Sequence, residues 1–220
     1  MCFTGSLSGW RFLTLASAPA NLYAAGATTV GLKCSRGVVL ATEKRVSYGF
    51  TIMSKAGKKV FPVTKYLGVA FAGLVSDMQA VVRRLTAEAN LYELEHGKLM
   101  PVKAAAKLLA NILYSQRSYP ILAEILVGGL SEGSPQLFVL DPLGSIIEDN
   151  YAALGTGAPI AIGILETSYR DDLSVEEAEA LAVKAIRAAI ERDAASGDGI
   201  DVLIITDQGI LEKSYPARPA

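Results

Sequence analysis

Histidine is almost absent from this chain of 220 residues, which contains His96 alone. Ser-His-Asp and Cys-His hydrolases use a histidine as the base that accepts the proton of the nucleophile. His96 lies in the stretch ELEHGK, a pattern typical of a helix end, where histidine caps carbonyl groups or faces solvent. The composition therefore argues against a histidine-dependent hydrolase.

Cysteines and excess charge are scarce as well. Cys2 and Cys34 are the only cysteines, which is too few for a disulfide framework or a metal motif and fits a reducing cytoplasm. The 21 lysines and arginines are balanced by 22 aspartates and glutamates, so no positive field predicts a nucleic-acid or membrane partner. No apolar run reaches the ~18 residues of a membrane span. The overall composition, with 51% hydrophobic residues, is typical of a globular protein.

A leader of about 25 residues precedes the first strong strand pattern. Its stretch FLTLASAPA could serve as the apolar region and cleavage site of a secretory signal, but the single positive charge, Arg11, comes late. A poorly ordered terminal segment and a pro-segment removed on maturation are the other interpretations.

Strand patterns follow in groups joined by short turns. TTVGLK and GVVLATE are separated by CSR, and KKVFPV and YLGVAFAG are separated by TK, which predicts two hairpins. Three later stretches, EILVGGL, PQLFVLD and SIIEDNYAALG, also have strand character, with DPLG as a turn between the last two. DVLIIT is typical of a buried final strand, followed by a turn and a short last one.

Helical patterns arrive in pairs. Apolar residues recur at helical spacing from Val75, and Pro101 stands at the first position of a second predicted helix. A third helix is predicted over residues 159–169, and Ser174 with Glu177 forms a capping box before a fourth. This order predicts one α+β domain, a four-layer αββα sandwich in which two antiparallel sheets stack between helix pairs. A doubly wound sheet is disfavoured because strands and helices do not alternate singly.

Short motifs taken one at a time identify no site. The glycine-rich stretches VGGLSEG and LGTGAP match neither a P-loop nor a dinucleotide fingerprint and are typical of tight turns. The cluster KAGKK, residues 55–59, would by itself be a charged hairpin tip.

Several long stretches in a fixed order carry much more information. They are TTVGLK, GVVLATEKRVS, SKAGKKVF, AFAGLVSDMQ, LVGGLSEGSPQLFVLDPLGSIIEDNYAALGTGA, AIGILE and RDAASGDGIDVLIIT. Together, from about Thr28 to Glu212, they resemble the β subunits of the archaeal-type 20S proteasome, which are N-terminal-nucleophile hydrolases of the threonine peptidase class. The resemblance implies the same αββα sandwich that the order of elements predicts.

The resemblance also implies a mechanism and partners. In the family a pro-segment is cut so that a threonine becomes the N-terminus; its hydroxyl attacks the peptide carbonyl and its own α-amine accepts the proton. An α-amine has an ordinary pKa of about 7.7–8.0, so no histidine is required. The implied partners are α subunits and other β subunits in stacked heptameric rings, ATPase caps bound through the α rings, and unfolded polypeptide substrates. No metal or organic cofactor is implied.

The resemblance assigns roles to single residues. Lys59, in GKK, matches the lysine beside the nucleophile, where its charge favours a neutral amine and a developing alkoxide. Asp193 and Ser196, in RDAAS, match the pair that orients the amine, and Gly73 matches the glycine whose N–H faces the oxyanion. Thr156 stands where the family has serine. Glu43 matches the acidic partner of the lysine, and Arg45 matches a nearby basic position. The positions that line the first specificity pocket are matched by Val46, Gly57, Phe71 and Val75.

The chain departs from the family pattern at the first strand. The family has three threonines before Val-Gly, whereas residues 26–31 read GATTVG. Counting back from VG and GKK places Ala27 at the position of the nucleophile. A methyl group can neither attack a carbonyl nor cut its own leader.

Two interpretations of this departure remain open. Cleavage after Ala27 would make Thr28 the nucleophile, although a shift of one residue on a strand turns a side chain to the opposite face. Alternatively, the chain is a catalytically silent structural β subunit beside another that supplies the nucleophile. The predicted domains are a leader over residues 1–27, cut after residue 26 or 27, and one domain over residues 28–220. A small-molecule amidohydrolase of the same fold is disfavoured, because the motifs are specific to the proteasome group.

Overall fold

Two antiparallel sheets stack on each other in the computed structural model, which describes residues 26–218. Residues 1–25, which the alternative interpretations of the leader concern, lie outside the described residues. The strands are β1 (Thr28–Cys34), β2 (Gly37–Glu43), β3 (Val46–Tyr48), β4 (Thr51–Ser54), β5 (Val60–Thr64), β6 (Leu67–Gly73), β7 (Ala123–Ser131), β8 (Ser134–Leu140), β9 (Ile146–Glu148), β10 (Tyr151–Gly155), β11 (Ile200–Thr206) and β12 (Gly209–Tyr215). The helices are α1 (Val75–His96), α2 (Val102–Ser115), α3 (Ala158–Ser168) and α4 (Val175–Ile190).

The sheets are covered on their outer faces by the helices. Sheet I has the strand order β10-β1-β2-β11-β12 and packs against α3 and α4; sheet II has the order β5-β6-β7-β8-β9 and packs against α1 and α2. Between the sheets lies an apolar layer formed by Val38, Leu40, Val60, Ala70, Leu126, Leu137, Leu203 and Ile205. The predicted four-layer αββα sandwich is confirmed. Within residues 26–218, no helix is both long enough and apolar enough to cross a membrane.

Side chains alternate along β1, so its two faces contact two different apolar layers. Val30 and Leu32 are fully buried on the side covered by α3 and α4. Gly31 faces sheet II, and a Cβ atom there would lie 2.9 Å from Leu137 Cδ1, so glycine lets the two sheets approach. Successive residues of β1 therefore face different layers, and the same alternation determines which way the side chains at the start of the strand point.

Local signals fix the ends of two helices. At α4, the Glu177 amide donates to Ser174 Oγ at 3.1 Å while the Ser174 amide donates to the Glu177 carboxylate at 2.9 Å, so the predicted capping box is present. At the end of α1, Gly97 adopts the left-handed conformation with φ of +66°. Pro101 precedes α2 as its N-cap rather than standing inside its first turn.

Two parts of the fold differ from the sequence prediction. SIIEDNYAALG is not one strand, because the bend at Asp149-Asn150 divides it into β9, in sheet II, and β10, in sheet I. The hairpin β3–β4 was not predicted; its strands are short, and Tyr48, Phe50 and Met53 are exposed. Exposure on both faces removes the alternation by which a strand is recognised.

Candidate active site

The first residues of β1 are held by the turn that follows β10. Ala27 is fully buried, and its carbonyl oxygen accepts a hydrogen bond from the Gly157 amide at 3.4 Å. Gly155 has a φ of +87°, and a Cβ atom there would lie 2.1 Å from the Ala27 oxygen. Only glycine permits both this conformation and this contact. These two contacts hold the carbonyl group of Ala27 against the end of β10 and the turn after it.

The residues after Ala27 face opposite layers. Thr28 Oγ1 lies 2.7 Å from Ser196 Oγ, on the side of β1 that α3 and α4 cover. Thr29 Oγ1 donates to the carbonyl oxygen of Phe71, in sheet II, at 2.7 Å. Because side chains alternate along a strand, Ala27 points to the same side as Thr29.

A chain of hydroxyl groups ends on one carboxylate. Asp193 Oδ2 accepts from Ser196 Oγ at 2.7 Å and from Thr156 Oγ1 at 2.6 Å. Since the Ser196 proton goes to Asp193, the Thr28 hydroxyl donates its own proton to Ser196. Thr156 Oγ1 also lies 3.4 Å from the carbonyl oxygen of Ala27. The structure thus brings Asp193, Ser196 and Thr156 together at the start of β1.

Lys59 and Glu43 form a buried ion pair. Lys59 Nζ donates to the Glu43 carboxylate and, at 2.5 Å, to the carbonyl oxygen of Arg45; the two charged side chains are 2% and 0% exposed. The other oxygen of Glu43 accepts from the amides of Arg45 at 2.6 Å and Gly197 at 3.1 Å. The exposed hairpin tip that KAGKK by itself indicates is wrong for Lys59, since its partner on β2 draws it inside.

Burial acts on the protonation of this pair. It lowers the pKa of Lys59, and the neighbouring Glu43 carboxylate works against that change. It also raises the pKa of Glu43, against the opposing effects of Lys59 and of the Gly197 and Arg45 amides. Lys59 Nζ has one more donor than the two acceptors that it meets. This third N–H could donate a hydrogen bond to a hydroxyl group placed within hydrogen-bonding distance of Nζ.

Arg45 belongs to the scaffold around this pair. Its Nε donates to Asp198 Oδ2 at 2.8 Å, and its Nη1 donates to the carbonyl oxygen of Ala194 at 2.8 Å. A Cβ atom at Gly197 would lie 2.3 Å from the guanidinium group, so glycine leaves room for the arginine. Arg45 therefore ties the loop between α4 and β11 to the end of β2. Asp198 was not predicted as a site residue, although the stretch GDGID predicts a turn, and Asp198 has a φ of +68°.

The residues matched to the specificity pocket fall into two groups. Val46 and Gly57 are in contact, because a Cβ atom at Gly57 would lie 2.3 Å from Val46 Cγ2. Phe71 and Val75 lie at the end of β6 and the start of α1, on either side of Gly73, which is matched to the oxyanion glycine. Phe71 is fully buried and packs edge-to-face against Phe61, with ring centroids 6.1 Å apart. Gly73 has a φ of +139° and closely approaches the Leu122 carbonyl.

The comparison of the sequence with protein families decides its identity. Residues 23–205 match the family model described as proteasome subunit. The chain belongs to the proteasome subunit family. Its similarity to β subunits of archaea extends over most of its length, so the predicted archaeal-type β subunit of the 20S proteasome is confirmed.

Three relatives illustrate that similarity. Proteasome subunit beta 1 of Hyperthermus butylicus is 58% identical over 83% of this chain and 90% of its own length. Proteasome subunit beta 1 of Staphylothermus marinus is 53% identical over 87% of this chain and 90% of its own length. Proteasome subunit beta 2 of Pyrobaculum neutrophilum is 55% identical over 88% of this chain and 95% of its own length. The identities to relatives named beta 1 and to relatives named beta 2 overlap, so they do not assign this proteasome subunit to either type.

No group of three or more histidine, cysteine, aspartate or glutamate residues suited to a metal ion occurs within residues 26–218. A cavity of about 410 Å³ lies between β12 and the start of α4 and contains none of the predicted site residues. The polar groups described above remain the candidate active site.

Proposed function

We propose that this chain is a β subunit that takes its place in the 20S core without supplying a nucleophile of its own. The core acts as a threonine-type endopeptidase that degrades unfolded polypeptides, and a second type of β subunit provides the attacking threonine. The family to which the chain belongs assembles into a core with other subunits. In this proposal the chain lies in stacked heptameric rings with α subunits, and ATPase caps bind to the α rings. The particle is located in the cytoplasm.

One observation carries the proposal of a silent subunit. Ala27 occupies the position of the family's nucleophile, while the next residue, Thr28, is fully buried and donates its hydroxyl proton to Ser196. Thr28 is also paired with Gly155 in the ladder between β1 and β10. To attack a substrate at the position of Ala27, Thr28 would have to leave this ladder and turn to the other face of the strand.

A second candidate is activity through Thr28, and its support is chemical. The hydroxyl group of Thr28 already lies in the polar chain of Ser196 and Asp193, the pair that the resemblance assigns to the α-amine. Cleavage after Ala27 would create an amine in that neighbourhood. In this candidate the leader comprises residues 1–27, and the chain is a zymogen; in the silent subunit no self-cleavage of the leader occurs.

The experiment that separates the two candidates is mass analysis of this chain from the assembled particle, after treatment with a threonine-directed covalent inhibitor. We expect an unlabelled chain that retains residues upstream of Thr28, next to a labelled neighbouring β subunit that serves as the internal positive control. A chain that starts at Thr28 and carries the inhibitor would overturn the silent subunit and establish the second candidate.

A further inference from the structure

An open pocket of about 350 Å³ lies beside the candidate active site, between the ends of the two sheets. It is lined by Ala72, Gly73, Leu122, Ala123, Glu124, Pro142, Gly155 and Thr156. Thr156 connects the pocket to the start of β1, since its hydroxyl group lies 3.4 Å from the Ala27 carbonyl oxygen. The pocket therefore adjoins the position at which the family cuts its substrates.

Glu124 is the charged residue of this lining. One of its carboxylate oxygens accepts a hydrogen bond from the Gly155 amide at 2.8 Å. Within residues 26–218 Glu124 forms no ion pair, and its second oxygen accepts no hydrogen bond. A half-buried carboxylate that lacks a counter-charge has lost hydration without full compensation, so a cation in the pocket would be favourable.

The pocket holds its carboxylate in a fixed position. Glu124 lies on β7 opposite Ala72 of β6, and the Gly155 amide that it binds belongs to the last residue of β10, in the other sheet. Leu122 and Pro142 add apolar surface to the same wall. An apolar wall that ends in a carboxylate suits a side chain with a methylene stem and a positive head, because lysine and arginine bury the stem and pair the head.

We propose that this pocket binds a lysine or arginine side chain of an unfolded polypeptide and that Glu124 is the residue that selects it. The substrate class rests on the proposed function, but the binding does not depend on a nucleophile at residue 27. The subunit would thus hold basic segments of a substrate while a neighbouring subunit cuts.

The test measures photo-crosslinking of short peptides to this chain in the assembled particle. Two acetylated, amidated alanine pentapeptides carry the same photoreactive group and differ at the central residue, which is lysine or norleucine. Norleucine keeps the methylene stem and lacks the ammonium group. The readout is the peptide concentration at which labelling of this chain is half-maximal, with the labelled residues located by mass spectrometry.

We expect the lysine peptide to reach half-maximal labelling at a concentration about tenfold lower than the norleucine peptide does, since a charge-assisted contact is added. The label should fall near Leu122 or Thr156. Glu124→Gln keeps a carbonyl oxygen for the Gly155 amide and removes the charge, so it should abolish the lysine preference while leaving the melting temperature unchanged. Glu148→Gln, on the exposed strand β9, is the matched control and should keep the preference.

Equal labelling by the two peptides, a lysine preference that survives in Glu124→Gln, or no labelling in the pocket would overturn the proposal. These outcomes are independent of the test of the silent subunit. A chain that begins at Thr28 and binds the threonine-directed inhibitor would overturn that proposal, yet the lysine preference would still stand or fall with Glu124.

Discussion

Thr28 Oγ1 and Ser196 Oγ lie 2.7 Å apart although the two residues are separated by 168 positions in the sequence. Ser196 donates to Asp193, so this contact uses the proton of the Thr28 hydroxyl group. It places that hydroxyl on the helix-covered face of β1, opposite to the face of Thr29. The hydroxyl group of Thr28 is thus engaged in a buried hydrogen bond.

Ala27→Thr is predicted to restore the missing chemistry. The new hydroxyl group would stand at the predicted nucleophile position, on the side of β1 that faces sheet II. We expect removal of the leader at residue 26 and labelling by a threonine-directed inhibitor, both measured by mass spectrometry of the assembled particle. The reason is that Glu43, Lys59, Asp193 and Ser196 keep their mutual contacts in this chain.

Ala27→Val is the matched control for that variant, because valine has the shape of threonine and lacks its hydroxyl group. It should be neither cut nor labelled. An assembled Ala27→Thr particle with an intact leader would contradict the assignment of Ala27 to the nucleophile position.

Lys59→Met is predicted to destabilise the subunit strongly. It leaves the fully buried Glu43 carboxylate without its cation, and removal of one partner from a buried ion pair costs about 3–5 kcal/mol. Urea unfolding, followed by circular dichroism, measures the change in the free energy of unfolding.

Lys58→Met provides the comparison within the same sequence stretch. Lys58 pairs with Glu212 at 2.5 Å, but the two side chains are 45% and 48% exposed, so its loss should cost about 0–1 kcal/mol. Equal effects of the two substitutions would mean that the Lys59 pair is not buried in solution.

Thr28→Val and Ser196→Ala form a double-mutant cycle for the contact at the start of β1. Valine keeps the volume of threonine and cannot donate a hydrogen bond. We expect each substitution to destabilise the subunit and the coupling energy to be about 1 kcal/mol, as for one buried hydrogen bond. Fully additive effects in denaturant unfolding would show that the two hydroxyl groups do not interact.

Gly155→Ala is predicted to cost about 1–3 kcal/mol or more. Its φ of +87° is unfavourable for alanine, and the added Cβ atom would meet the Ala27 carbonyl oxygen at 2.1 Å. The midpoint of thermal unfolding is the measurement.

Gly163→Ala, inside α3, is the control for this substitution, because no atom lies within 4 Å of a Cβ built there. It should stabilise the subunit by about 0.5–1 kcal/mol through helix propensity. A Gly155→Ala variant that unfolds at the same temperature as Gly163→Ala would contradict the described packing of β10 on Ala27.

The sequence by itself determined the layered fold and the family, and it predicts where the nucleophile's hydroxyl group is missing. The helical spacing of apolar residues from Val75 indicates which face of α1 is buried. The capping box at Ser174 marks a helix start through contacts three residues apart. The spacing of GATTVG from GKK predicts, without coordinates, that Ala27 stands at the nucleophile position. All of these signals are local or depend on the order of residues along the chain.

Only the tertiary structure decided where individual side chains of that framework point and what they contact. By sequence alone Lys59 belongs to a charged cluster, but it pairs with Glu43, 16 positions away, and is buried in the protein interior. Arg45 and Asp198 are 153 positions apart, and Glu124 meets Gly155 from the other sheet. Such contacts come from the packing of two sheets against each other, and no local pattern encodes which ends of distant strands will meet.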